Sequence, residues 1–258
     1  MLGPGFVAVG DDDVVQVRFV GSGDAFGNGG RWQTCIQLAA SGQTLLVDCG
    51  ATSLVALKAQ RIDPNTIDAV VVTHLHGDHF GGLPFLILDG QFSRRSKPLV
   101  LAGPPGTGDR LAAAMEVLFP GSSRVRRHFP VEVVELGLDG TPVSLGAATV
   151  RGWEVEHACG APPLAVNIAL DDSVFAYSGD TQWTPVLSEV ALGADLFAVE
   201  AYTFDQPVRY HLDYRTLHEH VCDIDAERIV LTHMSTSMLG RLSEVDHPAA
   251  YDGMTISI

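Results

Sequence analysis

No stretch of about eighteen apolar residues occurs in the 258-residue chain, so nothing in it is expected to cross a bilayer as a helix or to seat it on a membrane. The opening segment MLGPGFVAVGDDD lacks both a basic start and a long apolar run, and no signal peptide is expected. Cysteine is scarce. Cys35, Cys49, Cys159 and Cys222 form no CxxC pair and no disulfide framework, and they read as reduced thiols of a cytoplasmic protein. Basic residues are outnumbered, 16 against 31 acidic ones, for a formal charge of −15. That balance argues against a long nucleic acid held on a broad basic surface. The two basic clusters, Arg94-Arg95-Ser96-Lys97 and Arg124-Val125-Arg126-Arg127-His128, read as solvated helix ends or loops, with a small anion-steering patch as the alternative.

What is present suits a sizeable core. Hydrophobic residues make up 46% of the chain and charged residues 18%, while 27 glycines and 14 prolines are spread along it as short connections. No break in composition marks a second domain, so residues 1–258 read as one. The pattern predicts strands over Val14–Val20, Gln33–Ala39, Thr44–Asp48, Ala69–Thr73, Pro98–Leu101, Val131–Leu136, Ala148–His157, Leu164–Leu170, Val174–Ser178, Leu196–Val199, Arg228–Thr232 and Met254–Ile258. It predicts helices over Ser53–Gln60, Gly82–Phe92, Arg110–Phe119, Gln182–Leu192 and Tyr214–Cys222. Strands dominate both halves, which points to an α+β chain with two packed sheets and helices outside them. The glycine-rich loop Gly21–Arg31 is neither a P-loop nor a dinucleotide fingerprint, and it is expected to line a pocket, with Arg31 able to meet an anion.

The chemistry concentrates in Thr73–His79, THLHGDH. His74, His76, Asp78 and His79 crowd the end of a wholly apolar strand, and imidazole nitrogens and carboxylate oxygens are what divalent zinc, manganese and iron accept. In an extended segment His74 and His76 point the same way and can grip one ion. Gly77 lets the chain bend so that Asp78 and His79 begin a second site. His157 ends an expected strand, and Asp180 and His233 each follow one, where loops build sites. Taken singly, each reads as well as a core histidine or a helix cap; their shared position at strand ends is what raises them. Asp48 and Thr73 are candidate partners for ligand histidines, and Tyr202, Phe204 and Met238 are candidate apolar walls.

These motifs resemble the metallo-β-lactamase superfamily over Val14–Ile258, through HxHxDH followed by His, Asp and His at strand ends. Within it the chain is most similar to the ribonuclease Z-like branch of small-substrate phosphodiesterases. The similarity is carried by FVGSGDA at Phe19–Ala25, VDCG at Val47–Gly50, THLHGDHFGGLP, YSGDT at Tyr177–Thr181, Glu200-Ala201 and LTH at Leu231–His233. The resemblance implies an αββα sandwich of two mixed β-sheets with outer helices. It implies two divalent metal ions, with zinc expected and manganese or iron compatible. His74, His76 and His157 would hold one, Asp78, His79 and His233 the other, and Asp180 would bridge them. It also implies a Glu–His pair that protonates the leaving group, here Glu200 and His211, with Asp78 counted among the catalytic residues, and a homodimer. Two departures stand out. Residues 158–179, 22 in all, separate His157 from Asp180, too few for the long tRNA-gripping arm of ribonuclease Z. Met234-Ser235-Thr236 also replaces the Arg-Tyr usual there.

The expected function is therefore a metallohydrolase acting on a small or cyclic, anionic phosphodiester through a hydroxide shared by the two metals, without tRNA or long nucleic acid as partner. A carbon-centred hydrolase (lactonase, esterase or amidase) and an arylsulfatase would use the same site. An iron-dependent oxidoreductase of this fold is the further alternative.

Overall fold

The computed structural model describes residues 14–258, and the segment read for a leader lies outside them. The first half runs β1 (Gln16–Gly21), β2 (Cys35–Ala40), β3 (Gln43–Val47), α1 (Ser53–Ala59), β4 (Ala69–Val71), α2 (Gly77–Phe80), α3 (Leu83–Phe92), β5 (Leu99–Gly103), α4 (Thr107–Leu118) and β6 (Val131–Glu135). The second runs β7 (Val143–Leu145), β8 (Ala148–Glu154), β9 (Leu164–Leu170), β10 (Ser173–Tyr177), α5 (Val186–Ala191), β11 (Leu196–Glu200), α6 (Tyr214–Glu219), β12 (Ile229–Thr232), α7 (Thr236–Leu239) and β13 (Thr255–Ser257).

The strands form two mixed sheets, ordered β13-β1-β2-β3-β4-β5-β6 and β12-β11-β10-β9-β8-β7. In the first, β13, β1, β2 and β3 are antiparallel neighbours, while β3 to β6 are parallel. In the second, β7 to β10 are antiparallel and β10 to β12 parallel. The β2–β3 hairpin turns on Ser41 and Gly42, both left-handed at φ 47° and 71°, a two-residue turn that matches the twist of the strands.

Alternation along the strands explains the layering. Ala69 and Val71 of β4 face a central core with Val17, Phe19, Ile36 and Leu45, against Val150, Val166, Phe175 and Tyr177 of the other sheet. Val70 faces outward, into a second core with Leu57 of α1, Leu83 and Ile87 of α3, and Leu111 and Met115 of α4. A third core joins Ala176, Phe197 and Val199 to Leu187 and Val190 of α5 and to Leu217 of α6. A strand buried on both faces reads as an unbroken apolar run, which is why β4 shows no alternation. The architecture is the αββα sandwich that the resemblance implies.

Several boundaries differ from the sequence reading. β8 stops at Glu154, so His157 sits in a loop beyond the strand instead of at its end. The helix expected from Gln182 begins at Val186, because Pro185 disfavours helical geometry at Thr184. The short elements α2, α7 and β7 were not anticipated.

Candidate metal centre

The two sheets deliver their loops to one edge. β3 leads into Asp48 and β4 leads through Thr73 into the HxHxDH turn, which winds into α2. His74 and His79 are fully buried and Asp78 nearly so. From the other sheet, β10 leads to Asp180, β11 ends in Glu200 and β12 is followed by His233. Gly179 makes the turn before Asp180 at φ 60°, and a Cβ there would lie 2.5 Å from the Leu164 carbonyl oxygen, so only glycine fits. Asp48 and His233 are themselves left-handed, at φ 61° and 56°, a strained geometry that concentrates at functional sites.

The seven expected ligands fall into two adjoining groups, His74, His76 and His157 in one, and Asp78, His79, Asp180 and His233 in the other, with the donor atoms of each group within 4.8 Å of one another. His157 Nε2 and His76 Nδ1 face each other at 3.1 Å, and His79 Nε2 and His233 Nε2 at 3.3 Å. Asp78 Oδ2 lies 3.3 Å from both His79 Nε2 and His233 Nε2. Asp180 lies between the groups: Oδ1 is 3.2 Å from His79 Nε2, and Oδ2 is 3.4 Å from His233 Nε2 and 3.8 Å from His74 Nε2. Roughly 3.3 Å is the edge of a tetrahedron whose ligands stand at ordinary zinc distances from its centre.

The opposite ring nitrogens are committed elsewhere, which decides the tautomers. His79 Nδ1 donates to Asp48 Oδ2 at 2.6 Å, and His157 Nδ1 to the Tyr210 carbonyl at 2.9 Å. The Thr73 hydroxyl gives its proton to Asp48, at 2.9 Å from Oδ2, so it accepts from His74 Nδ1 at 3.2 Å. His74 Nε2 is left as a bare lone pair, buried and without a hydrogen-bond partner, as is Asp180 Oδ1. Acceptor atoms buried together without donors are costly unless a cation joins them. Burial pushes His233 down, but Asp180, Asp78 and Glu200 outweigh it and raise its pKa to about 10. A metal ion at the same carboxylates would supply that positive charge instead. The residues present thus fit two divalent ions with N and O ligands, and Asp48 and Thr73 are the partners that aim two of the histidines. Asp48→Asn is expected to weaken metal binding about 10–100-fold. Chelator competition measures this, and unchanged affinity would remove Asp48 from the ligand-orienting role.

Glu200 and His211 meet beside both groups. Glu200 is fully buried, and its Oε1 accepts from His211 Nδ1 and lies 3.3 Å from His233 Nδ1. Its Oε2 accepts from the Thr181 and Leu212 amides at 2.9 and 3.3 Å. Burial lowers the His211 pKa, but the bond to Glu200 and its charge prevail and hold it above the ordinary value. The His211 ring centroid stands 5.0 Å from that of His157 and 6.0 Å from that of His233, with Tyr202 packed 4.7 Å away.

Other expectations change. Arg31 does not wait for an anion: its guanidinium donates to the Ala250 carbonyl and to Ser22 Oγ, clamping the glycine-rich loop to the chain's end. That loop is pinned further, by Asp24 accepting from the Asn28 amide at 3.0 Å and by Thr236 Oγ1 donating to Asn28 Oδ1 at 2.7 Å. Met238 is buried in the third core and Phe204 lies under Arg241, so of the three expected walls only Tyr202 stands at the site. Arg95 is 4% exposed and donates to five carbonyls, those of Pro64, Asn65, Ile67, Lys97 and Pro98, instead of lying in solvent. The Tyr210 carbonyl that holds His157 was missed, because a backbone acceptor has no side-chain signature.

Fold and residues together define a metallo-β-lactamase-fold protein of the ribonuclease Z-like branch. More narrowly, the chain belongs to the family described as Anti-Pycsar protein Apyc1, which matches residues 15–246. A ribonuclease Z from Lachnospira eligens is 34% identical over 129 residues, 50% of this chain and 40% of that protein. One from Mycobacterium sp. is 28% identical over 241 residues, 85% of this chain and 84% of that protein. The chain thus spans about 40% of the length of several curated relatives that it matches. Human tRNase Z, short form, superposes with a TM-score of 0.77 at 23% identity, over 94% of this chain and 99% of that one. A diphosphatase from the PhnP family does so with 0.76 at 18% identity, over 95% and 98%. At such identities the structural likeness speaks for the fold.

Proposed function

We propose that this chain is a metal-dependent hydrolase of small or cyclic phosphodiesters. The observation that carries the reading is the buried Glu200–His211 pair set against both groups of metal-binding side chains. When bound, two divalent ions supply Lewis acidity and lower the pKa of water toward about 7. His74, His76 and His157 would hold one, Asp78, His79 and His233 the other, with Asp180 touching both; zinc is expected, with manganese and iron compatible.

The chain's own residues do the rest. Glu200 fixes His211 through Nδ1, which leaves Nε2 to hand a proton to the departing alkoxide. Tyr202 packs on the ring and limits its rotation. An alkyl phosphodiester needs such an acid because its leaving oxygen is a strong base, whereas an activated ester needs it less. The small-substrate reading is supported by the stretch between His157 and Asp180, which is occupied by β9 and β10 and their tight turn at Asp171-Asp172. The acidic charge points the same way. We take the chain to act as a single domain and, from its four unpaired thiols, in a reducing compartment such as the cytoplasm. Among the described residues no helix is long and apolar enough to cross a membrane.

The relatives named ribonuclease Z favour a second reading, cleavage of a tRNA precursor. Protein loaded with zinc or manganese, assayed on bis(p-nitrophenyl) phosphate, a p-nitrophenyl ester, a lactone and a tRNA precursor, separates the cases. Diester turnover well above the carbon substrates, with intact tRNA, is expected. Fast ester or lactone cleavage with inert diester would overturn the phosphodiesterase reading, and efficient tRNA cleavage would replace the small substrate.

A further inference from the structure

A cavity of about 150 Å³ lies between α4 and β6, the edge strand of the first sheet. None of the residues lining it belongs to the metal centre. Its walls are apolar, made by Leu111 and Met115 of α4, Val131 and Val133 of β6 and Ile87 of α3. Into this space the chain brings one cation, Arg127, from the segment that leads into β6. Its Nη2 donates to the Ser122 carbonyl at 2.7 Å and lies 3.4 Å from the Met115 sulfur. Its Nε is buried and has no hydrogen-bond partner among the described residues. Burial lowers the Arg127 pKa, and no acidic neighbour draws it back up, as Asp252 does for Arg31 and Asp68 for Arg95. Glu116, on the same helix, is already engaged by the Gly121 amide, at 2.9 Å, and by the Ser123 hydroxyl.

We propose that this cavity is a binding site for a small monocarboxylate, an aliphatic acid of about six non-hydrogen atoms, with its carboxylate on the Arg127 guanidinium and its alkyl group among Leu111, Met115 and Val131. The size follows from the volume, since a cavity of about 150 Å³ is filled by a benzene-sized molecule. The charge follows from Arg127. A buried N–H without an acceptor costs free energy, and an anion supplies the acceptor and the opposite charge together. The walls decide the class. Inorganic phosphate carries polar oxygens all round and would leave some of them unpaired against Leu111 and Val131, whereas a neutral hydrocarbon would leave Arg127 as it is. The site needs no metal ion and stands apart from the hydrolytic reaction.

The test follows the methionine methyl groups of the zinc-loaded protein by NMR during titration with isobutyrate. Met115 lines the cavity, while Met234, next to the expected ligand His233, reports on carboxylate bound at the metals. A saturable shift of the Met115 signal with a Kd of about 1 mM is expected. Isobutyramide has the same shape without the charge, and inorganic phosphate has charge without the apolar part; each should bind at least about tenfold more weakly. Arg127→Gln should weaken isobutyrate at least about tenfold, and so should Ala112→Leu, which fills the cavity from an exposed helix position, with melting temperature followed in both. Should Arg127→Gln fail to fold, Ala112→Leu decides alone. No saturable shift of Met115, a shift of Met234 alone, equal binding of the amide or of phosphate, or unchanged affinity in Ala112→Leu would each overturn the site.

Discussion

Asp180→Ala is expected to lose at least half of the bound metal and to lower diester turnover by three orders of magnitude or more, roughly the whole contribution of a paired-metal site. The reason is position. Asp180 is the one carboxylate, among the described residues, whose oxygens approach both groups, His79 and His233 on one side and His74 on the other. Its side chain is 2% exposed, so water does not readily take its place. Removing it leaves His74, His76 and His157 as a three-nitrogen set able to hold one ion, while Asp78, His79 and His233 lose a ligand and the partner that couples them to the first ion. Asp180→Asn separates charge from shape: it keeps a coordinating oxygen but not the negative charge, and should retain more metal than the alanine variant while remaining slow. Metal analysis beside turnover decides the matter. Full metal content with activity within tenfold of wild type would show that Asp180 is a structural acid and not a shared ligand.

Much of the site was legible because its chemistry is local in sequence. THLHGDH places four candidate ligands within six positions, and the apolar run before it reads as a strand buried on both faces, as β4 proves to be. The more distant His157, Asp180 and His233 were found by their shared place after strands, although β8 ends short of His157. What could not be read was long-range and made by backbone. The partner of His157 is the Tyr210 carbonyl, 53 residues away, and Arg31 is held by the Ala250 carbonyl, 219 residues away. A carbonyl is present at every residue, so no composition or motif singles one out. Arg95 shows the same limit from the other direction. A charge in a basic cluster suggests solvent, but five convergent carbonyls bury it, and only the folded chain brings them together. Short elements such as α2 and β7 were missed because four and three residues are too few to show a period.

The arrangement around Glu200 has a consequence for how the acid is tested. Glu200 holds His211 through Oε1, and the same oxygen lies 3.3 Å from His233 Nδ1. The carboxylate thus holds the proposed proton donor and an expected metal ligand at once, and a Glu200 variant would disturb both. His211 is the cleaner probe, since its ring belongs neither to the group of three expected ligands nor to the group of four.

His211→Ala is therefore expected to keep its full metal content and to slow substrates with alkoxide leaving groups about 10²–10⁴-fold, while bis(p-nitrophenyl) phosphate slows far less. A p-nitrophenolate departs as a stable anion at neutral pH and needs no proton in the transition state. An alkoxide does, and His211 is the group whose Nδ1 is committed to Glu200 and whose ring lies 5.0 Å from His157 on one side and 6.0 Å from His233 on the other. The informative quantity is the ratio of the two losses, because misplaced ligands would slow both leaving groups alike. A series of diesters with graded leaving groups should show a steeper dependence of rate on leaving-group basicity in the variant than in wild type. Equal losses across the series, with metal retained, would assign His211 to shaping the site; no loss at all would take it out of the reaction.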